Sequence, residues 1–286
     1  EESTWLDASD MKRITGSDYY LSGLLTPKTV TIQAAAYVRG FAQGLSRNVN
    51  IYENSPVIAM KRADGIWKVN TPKGSVSAPK VILCVNGHLQ SFGFLKQRLM
   101  HIFLCASMTR AMTTEEIRRL GGEPSWGVAP ANPFGSSVRK IFGVGGHRIL
   151  MRNKFHFNST MEASDRDIQR TVRNHDRSFQ RRFPMLKNLE MEYRWGGRLC
   201  LSWNGVPVFG EIEDGLFAAC CQNGVGVSKG TLSGILAAEY ASGFQNSYIE
   251  DYLNEEQPTR LPPEPIATMG ATAYLNWQEW RAGLEK

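Results

Sequence analysis

Apolar and polar positions alternate most clearly over residues 49–87, "VNIYENSPVIAMKRADGIWKVNTPKGSVSAPKVILCVNG". That period of two is broken by the turn signals Ala63-Asp64-Gly65 and Pro72-Lys73-Gly74. It predicts a strand, a short β-meander and a final buried strand over 80–86. The preceding stretch, "QAAAYVRGFAQGLS" (33–46), carries apolar residues at helical spacing. Residues 1–25 begin as a helix, "TWLDASDMKRITG", with Gly16 as its C-cap, and 19–32 reads as extended. After residue 91 the pattern changes. "MHIFLCASMTRAM", "KIFGVGGHRILMRNKFHFN" and "LEMEYRWGGRLCLSW" read as long strands. Between them, "ASDRDIQRTVRNHDRSFQRRFP" predicts a helix entered at Ser164 or Asp165 and stopped at Pro184. Residues 201–243 return to strand, turn, strand, turn, helix, and the tail is Pro-rich with a short helix. This is a mixed α+β or α/β protein, in which an antiparallel sheet with helices on one side is inserted into a second, α/β part.

Composition narrows the picture a little. The chain has 286 residues, 42% hydrophobic and 21% charged, enough for a sizeable core in one large or two intertwined domains. The net charge of +6 is scattered. Its densest run, "RNHDRSFQRR" (173–182), reads as the solvated face of a helix, and no nucleic-acid motif accompanies it. Five cysteines without C-x-x-C or zinc-ligand spacing exclude a disulfide framework and a structural zinc site. A reduced, cytoplasmic setting is the expectation, with neither a signal-peptide pattern nor an apolar run of spanning length in these residues. The chain opens on Glu1 rather than Met.

Candidate chemistry centres on "CQNGVGVSKGTLSGILAAEYASG" (221–243), a strand end, a Gly-x-Gly turn and a helix. Such a turn suits an anion or a cofactor. It is also an ordinary way to leave a strand. The wider segment "YRWGGRLCLSWNGVPVFGEIEDGLFAACCQNGVGVSKGTLSGILAAEYASG", with the meander above, resembles the FAD-dependent amine and amino-acid oxidases. That superfamily includes D-amino-acid oxidase, glycine oxidase and sarcosine oxidase. The tail "RLPPEPIATMGATAYLNWQEWRAG" is similar to the branch with gamma-glutamylputrescine oxidase.

The resemblance implies a division of the chain. Residues 1–90 are a partial FAD-binding, Rossmann-like domain, 91–200 a substrate-binding sheet domain, 201–250 a return to the FAD domain, and 251–286 a tail. It implies that Gly224, Val225, Gly226, Val227 and Ser228 lie beside the flavin pyrimidine ring. Val57 would contact the adenine, and Asn86, Gly87, Gly205 and Pro207 would line the cofactor. Arg148, Arg152 and Arg198 are candidates for a substrate carboxylate. Tyr20 and Trp126, with Tyr19, are candidates to wall an amine pocket. A flavin tether at Cys200 is a further, minor candidate. The five histidines read as structural, and no metal is expected.

One feature of the family is missing. Its G-x-G-x-x-G loop, which holds the FAD pyrophosphate, has no counterpart near the start of the chain. "GVGVSK" (224–229) and "GVGGHR" (143–148) have Lys229 and Arg148 where the third glycine belongs. The chain is therefore expected to cover roughly the C-terminal two-thirds of such an oxidase. The alternative is a non-catalytic or flavin-free module completed by a partner chain. Exposed apolar surface predicts self-association.

Overall fold

The computed structural model describes residues 3–45, 47–159, 161–162 and 165–286. Ser46 and Ser164, at the expected ends of two helices, lie outside the described residues. The elements follow in chain order. The first are β1 (Thr4–Leu6), α1 (Ala8–Thr15), β2 (Gly23–Leu25) and α2 (Ala34–Leu45). Next come β3 (Ala59–Ala63), β4 (Ile66–Thr71), β5 (Gly74–Ala78) and β6 (Val81–Leu83), with a 3-10 turn over Asn86–Phe92. Then come β7 (Met100–Thr109), α3 (Thr114–Leu120), β8 (Trp126–Val128), β9 (Ser137–Ile141), β10 (Arg148–Phe157) and α4 (Asp165–Arg182). The chain closes with β11 (Met191–Leu201), β12 (Val208–Glu213), β13 (Leu216–Cys220), α5 (Ser228–Ala241), α6 (Ser247–Leu253) and α7 (Ile266–Arg281).

These form two compact units. The first holds residues 1–31, 101–198 and 263–286, and the second 32–100 and 199–262. Residues 1–31 therefore pack with the large sheet, although they are contiguous in sequence with α2 and the meander.

The first unit is built on a five-stranded sheet of order β11-β7-β10-β9-β8, in which β7, β10, β9 and β8 pair antiparallel. Alternation sends Val138, Ile149 and Met151 to the inner face, where they pack with Phe179 and Phe183 at the end of α4, and with Leu186 and Leu189 beyond it. The run 173–182 is helical, but only one side of it is solvated. His175, Ser178, Phe179 and Arg182 are buried, because a helix laid on a sheet turns one stripe inward whatever its average polarity. The first segment is helical only from Ala8. Asp7 caps α1 by accepting the Asp10 N–H, and Gly16 ends it at φ 75°. Thr4–Leu6 instead pairs with Gly23–Leu25 as a two-stranded ribbon.

The second unit has a sheet of order β12-β13-β6, with β12 and β13 a hairpin and β13 parallel to β6. The meander β3-β4-β5 forms as its alternation predicts, with Asp64 (φ 51°) and Gly65 (φ 77°) at its first turn. No strand forms before it: Asn54 has a positive φ and Pro56 follows. Trp67 pins the meander to the hairpin through Nε1–H to the Asp214 carbonyl, 3.1 Å. Leu83, Leu89, Leu99, Val208, Leu216 and Ala218 share the core with Trp67. The tail helix α7 runs for 16 residues, longer than its Pro-rich approach suggests. No described helix is long and apolar enough to cross a membrane.

Candidate functional site

In the second unit, three loops meet beyond the carboxyl ends of the parallel strands β6 and β13. In open α/β sheets that is where ligands bind. Asn86 follows β6 at φ 51°, and its Oδ1 accepts the Cys221 N–H at 3.2 Å, joining the two strand ends. Gly87 is buried behind it. The turn between β11 and β12 carries Gly205 (φ 73°) and a buried Pro207. Asn223 ties this turn to the Gly-x-Gly turn. Its Oδ1 accepts the Ser202 N–H at 2.9 Å, and its Nδ2 donates to the carbonyls of Gly205 (2.9 Å) and Cys221 (3.0 Å). Sequence reasoning missed this residue. The available signal was an Asn before Gly at a strand exit, where a left-handed conformation (here φ 49°) is tolerated.

The turn itself is open. A Cβ built on Gly224 (φ 83°) or Gly226 meets nothing within 4 Å. Val225 and Val227 are exposed, and Ser228 begins α5. The first helical bonds run from Lys229 N–H to Val225 and from Gly230 N–H to Gly226. The N–H groups of Gly226, Val227 and Ser228 have no partner among the described residues, and no side chain caps the helix. Three uncommitted donors at the positive end of a 14-residue helix are suited to the electron-rich edge of a flat heterocycle. The buried Gln222 Oε1 also has no partner among the described residues, while its Nε2 donates to Ser233. These residues fit a flavin ring. For the pyrophosphate, no strand-to-helix turn with the full G-x-G-x-x-G pattern occurs among the described residues, and Gly143–Gly146 sits in the β9–β10 hairpin. Val57 is an exposed residue before β3, with no bond to these loops.

Cys200 is buried with Cys220 and Cys221, and all five cysteines are free thiols. The neighbouring Cys221 thiol and burial push Cys200 far above its usual range, which disfavours the thiolate a covalent link needs.

In the first unit, Arg148 and Arg152 share the sheet face opposite the core. Arg148 Nη1 donates to the Thr109 carbonyl (2.8 Å) and to Glu192 (2.5 Å), its Nε to the Gly145 carbonyl (2.9 Å), and the guanidinium lies over Tyr193. Among the described residues, Arg152 donates to a hydroxyl, Ser137 Oγ at 2.7 Å, and lies over the Phe155 ring. The structure does not bring the other candidates here. Trp126 is opposite Lys140 and packs on Phe183, inside the core. Tyr19 and Tyr20 stand by Arg182 at the end of α4, where burial pushes the Tyr20 phenol up to about 12. Arg198 pairs with Glu162.

A serine–histidine pair also exists, out of solvent on the inner face. Ser107 Oγ lies 2.6 Å from His175 Nδ1, and Arg194 bridges Ser107 to Asp176. Burial lowers His175 to about 4, so it stays neutral and structural. No group of described residues could hold a metal ion.

The chain belongs to the FAD dependent oxidoreductase (DAO) family, whose profile matches residues 1–240. It is 27% identical over 241 residues to the probable oxidoreductase OrdL of Haemophilus influenzae, covering 83% of this chain and 53% of that protein. It is equally similar to the gamma-glutamylputrescine oxidoreductase of Escherichia coli, covering 83% and 54%. The chain thus spans about half the length of the curated relatives it matches. In fold it resembles glycine oxidase from Geobacillus kaustophilus, with a TM-score of 0.72 at 17% identity over 92% of this chain and 68% of that one. It also resembles L-proline dehydrogenase from P. horikoshii, with a TM-score of 0.66 at 17% identity over 87% and 67%.

Proposed function

We propose that this chain carries the ring-binding turn and the substrate sheet of an FAD-dependent oxidoreductase that converts an amine or amino acid to an imine. The observation behind this reading is the open Gly224–Ser228 turn with its three free N–H groups, which follows a strand end that Asn86 and Asn223 tie to the neighbouring loops. The second compact unit is the flavin part and the first is the substrate part. Gly224 and Gly226 let the backbone approach the ring, since a Cβ would stand in the way. The donors of Gly226, Val227 and Ser228 stabilise negative charge at the ring edge. Arg152 orients the substrate through a carboxylate. The chemistry that FAD supplies when bound is acceptance of a hydride equivalent at N5 from the carbon beside nitrogen. The setting is cytoplasmic, the partner is a small molecule, and nucleic acid has no part.

The test is an intact mass with a visible spectrum of the purified chain. Flavin absorption at a mass of 32.0 kDa supports the reading. Absence of flavin, together with failure to take up added FAD, counts against it.

A second reading is a flavin-free module completed by a partner chain. Helix α2 favours it. None of its residues is buried, and Tyr37, Val38 and Phe41 are exposed. Such a surface favours association. Light scattering showing a monodisperse monomer would sink this alternative.

A further inference from the structure

The outer face of the large sheet carries charges that do not balance. Register places Ser137, Arg139 and Ile141 of β9 beside Arg152, Leu150 and Arg148 of β10 on that face. Arg139 stands opposite Leu150 and is the diagonal neighbour of both Arg148 and Arg152. Arg148 is neutralised by Glu192. Among the described residues Arg152 has the Ser137 hydroxyl and the Phe155 ring, 5.7 Å away, and no carboxylate. Arg139 is exposed and makes no ion pair with a described residue. Burial lowers the Arg152 pKa, and the Arg139 guanidinium lowers it further, with no carboxylate acting in the other direction. Like charges at neighbouring positions of a sheet destabilise it. An anion that engages both removes that cost.

Resting on the reading of this sheet as the substrate part, we propose that Arg139 and Arg152 form a two-guanidinium clamp selective for amines that bear two carboxylates. One carboxylate would cancel half of the pair's charge, whereas two cancel it all. Each planar fork matches one carboxylate in bidentate fashion. Arg152, half-buried and braced by Ser137, is the primary grip. Arg139, nearer to solvent, is the residue that distinguishes a dicarboxylate from a monocarboxylate.

Binding of succinate, propionate and propionamide to the full 286-residue chain, followed by NMR titration, tests this. None of the three carries an amine or can be oxidised as one, so the readout is independent of flavin. Succinate is expected to bind more tightly than propionate, and propionamide not at all. Arg152→Met should weaken both acids about tenfold or more. Arg139→Met should bring succinate down to the level of propionate, a loss of about three- to fivefold at this exposure, and leave propionate nearly unchanged. Arg118→Met on the exposed face of α3 controls for net charge and should change nothing. Arg139→Gln and Arg152→Gln replace any Met variant that fails to fold by circular dichroism. Succinate binding no tighter than propionate, or a preference that survives in Arg139→Met, overturns the clamp. Flavin retention is read separately from the visible spectrum. A flavin-bound chain without the dicarboxylate preference refutes the clamp alone. The preference in a chain that cannot take up flavin supports the clamp and counts against the flavoenzyme reading.

Discussion

Helices α4 and α2 show how differently the two units are finished. Helix α4 is strongly polar, yet it buries Thr171, His175, Ser178, Phe179 and Arg182, and each polar side chain among them makes at least one hydrogen bond, with the Arg182 Nε left unpartnered among the described residues. Helix α2 is the more apolar of the two and buries nothing. Average hydrophobicity did not decide which helix went inside; the presence of a complementary surface did. The first unit is closed around its sheet. The second leaves both a helix face and a row of backbone donors open.

The largest expected effect comes from cutting into the closed unit. Phe183→Ala, at a fully buried position against Trp126 and Phe179, should cost about 3–5 kcal/mol in urea unfolding. Phe41→Ala in α2 should stay within about 0.5 kcal/mol. Equal losses at the two sites would erase the contrast between the units.

Acid should open the same unit. The folded pKa of His175, about 4, lies below its ordinary value of 6.5. The unfolded chain therefore binds the proton first, and stability falls as pH drops from about 6.5 toward 4. The full loss is about 3 kcal/mol. His175→Gln should flatten that part of the stability–pH curve, and an unchanged slope would place the titration elsewhere.

Smaller effects probe the open unit. Asn223→Ala removes the bonds to Ser202, Gly205 and Cys221 and should cost about 1–3 kcal/mol. Gly226→Ala meets no atom of the chain and should leave the melting temperature nearly unchanged. It should nevertheless weaken FAD uptake about tenfold, measured by fluorescence quenching. A variant that melts early but binds FAD normally would reverse the assignment of that glycine.

Much of this was legible in the sequence where the signal is local. The Asp64-Gly65 turn, the Gly16 cap, the long strands and the strand-to-helix turn at 224–228 all follow from spacing and residue type. What escaped depends on partners far along the chain. Three residues at Thr4–Leu6 have no periodicity of their own and become a strand only by meeting Gly23–Leu25. Alternation alone assigns Arg139 to a face, but only the register with β10 shows that Arg152 shares it. Trp126 looked like a pocket wall because aromatic residues serve both roles, and its pairing with Lys140 places it in the core.

Asn223 carries a liability in time. Asparagine is a thermolabile residue, and an Asn followed by Gly sheds its side-chain amide as ammonia when the next backbone nitrogen attacks it. Here the nitrogen that would leave is the one holding the Gly205 and Cys221 carbonyls. Its loss would also leave a carboxylate, which cannot donate, facing those two carbonyls. The turn that offers the donors of Gly226–Ser228 is therefore also one of three Asn-Gly sites, with Asn86-Gly87 and Asn204-Gly205, at which the molecule can age.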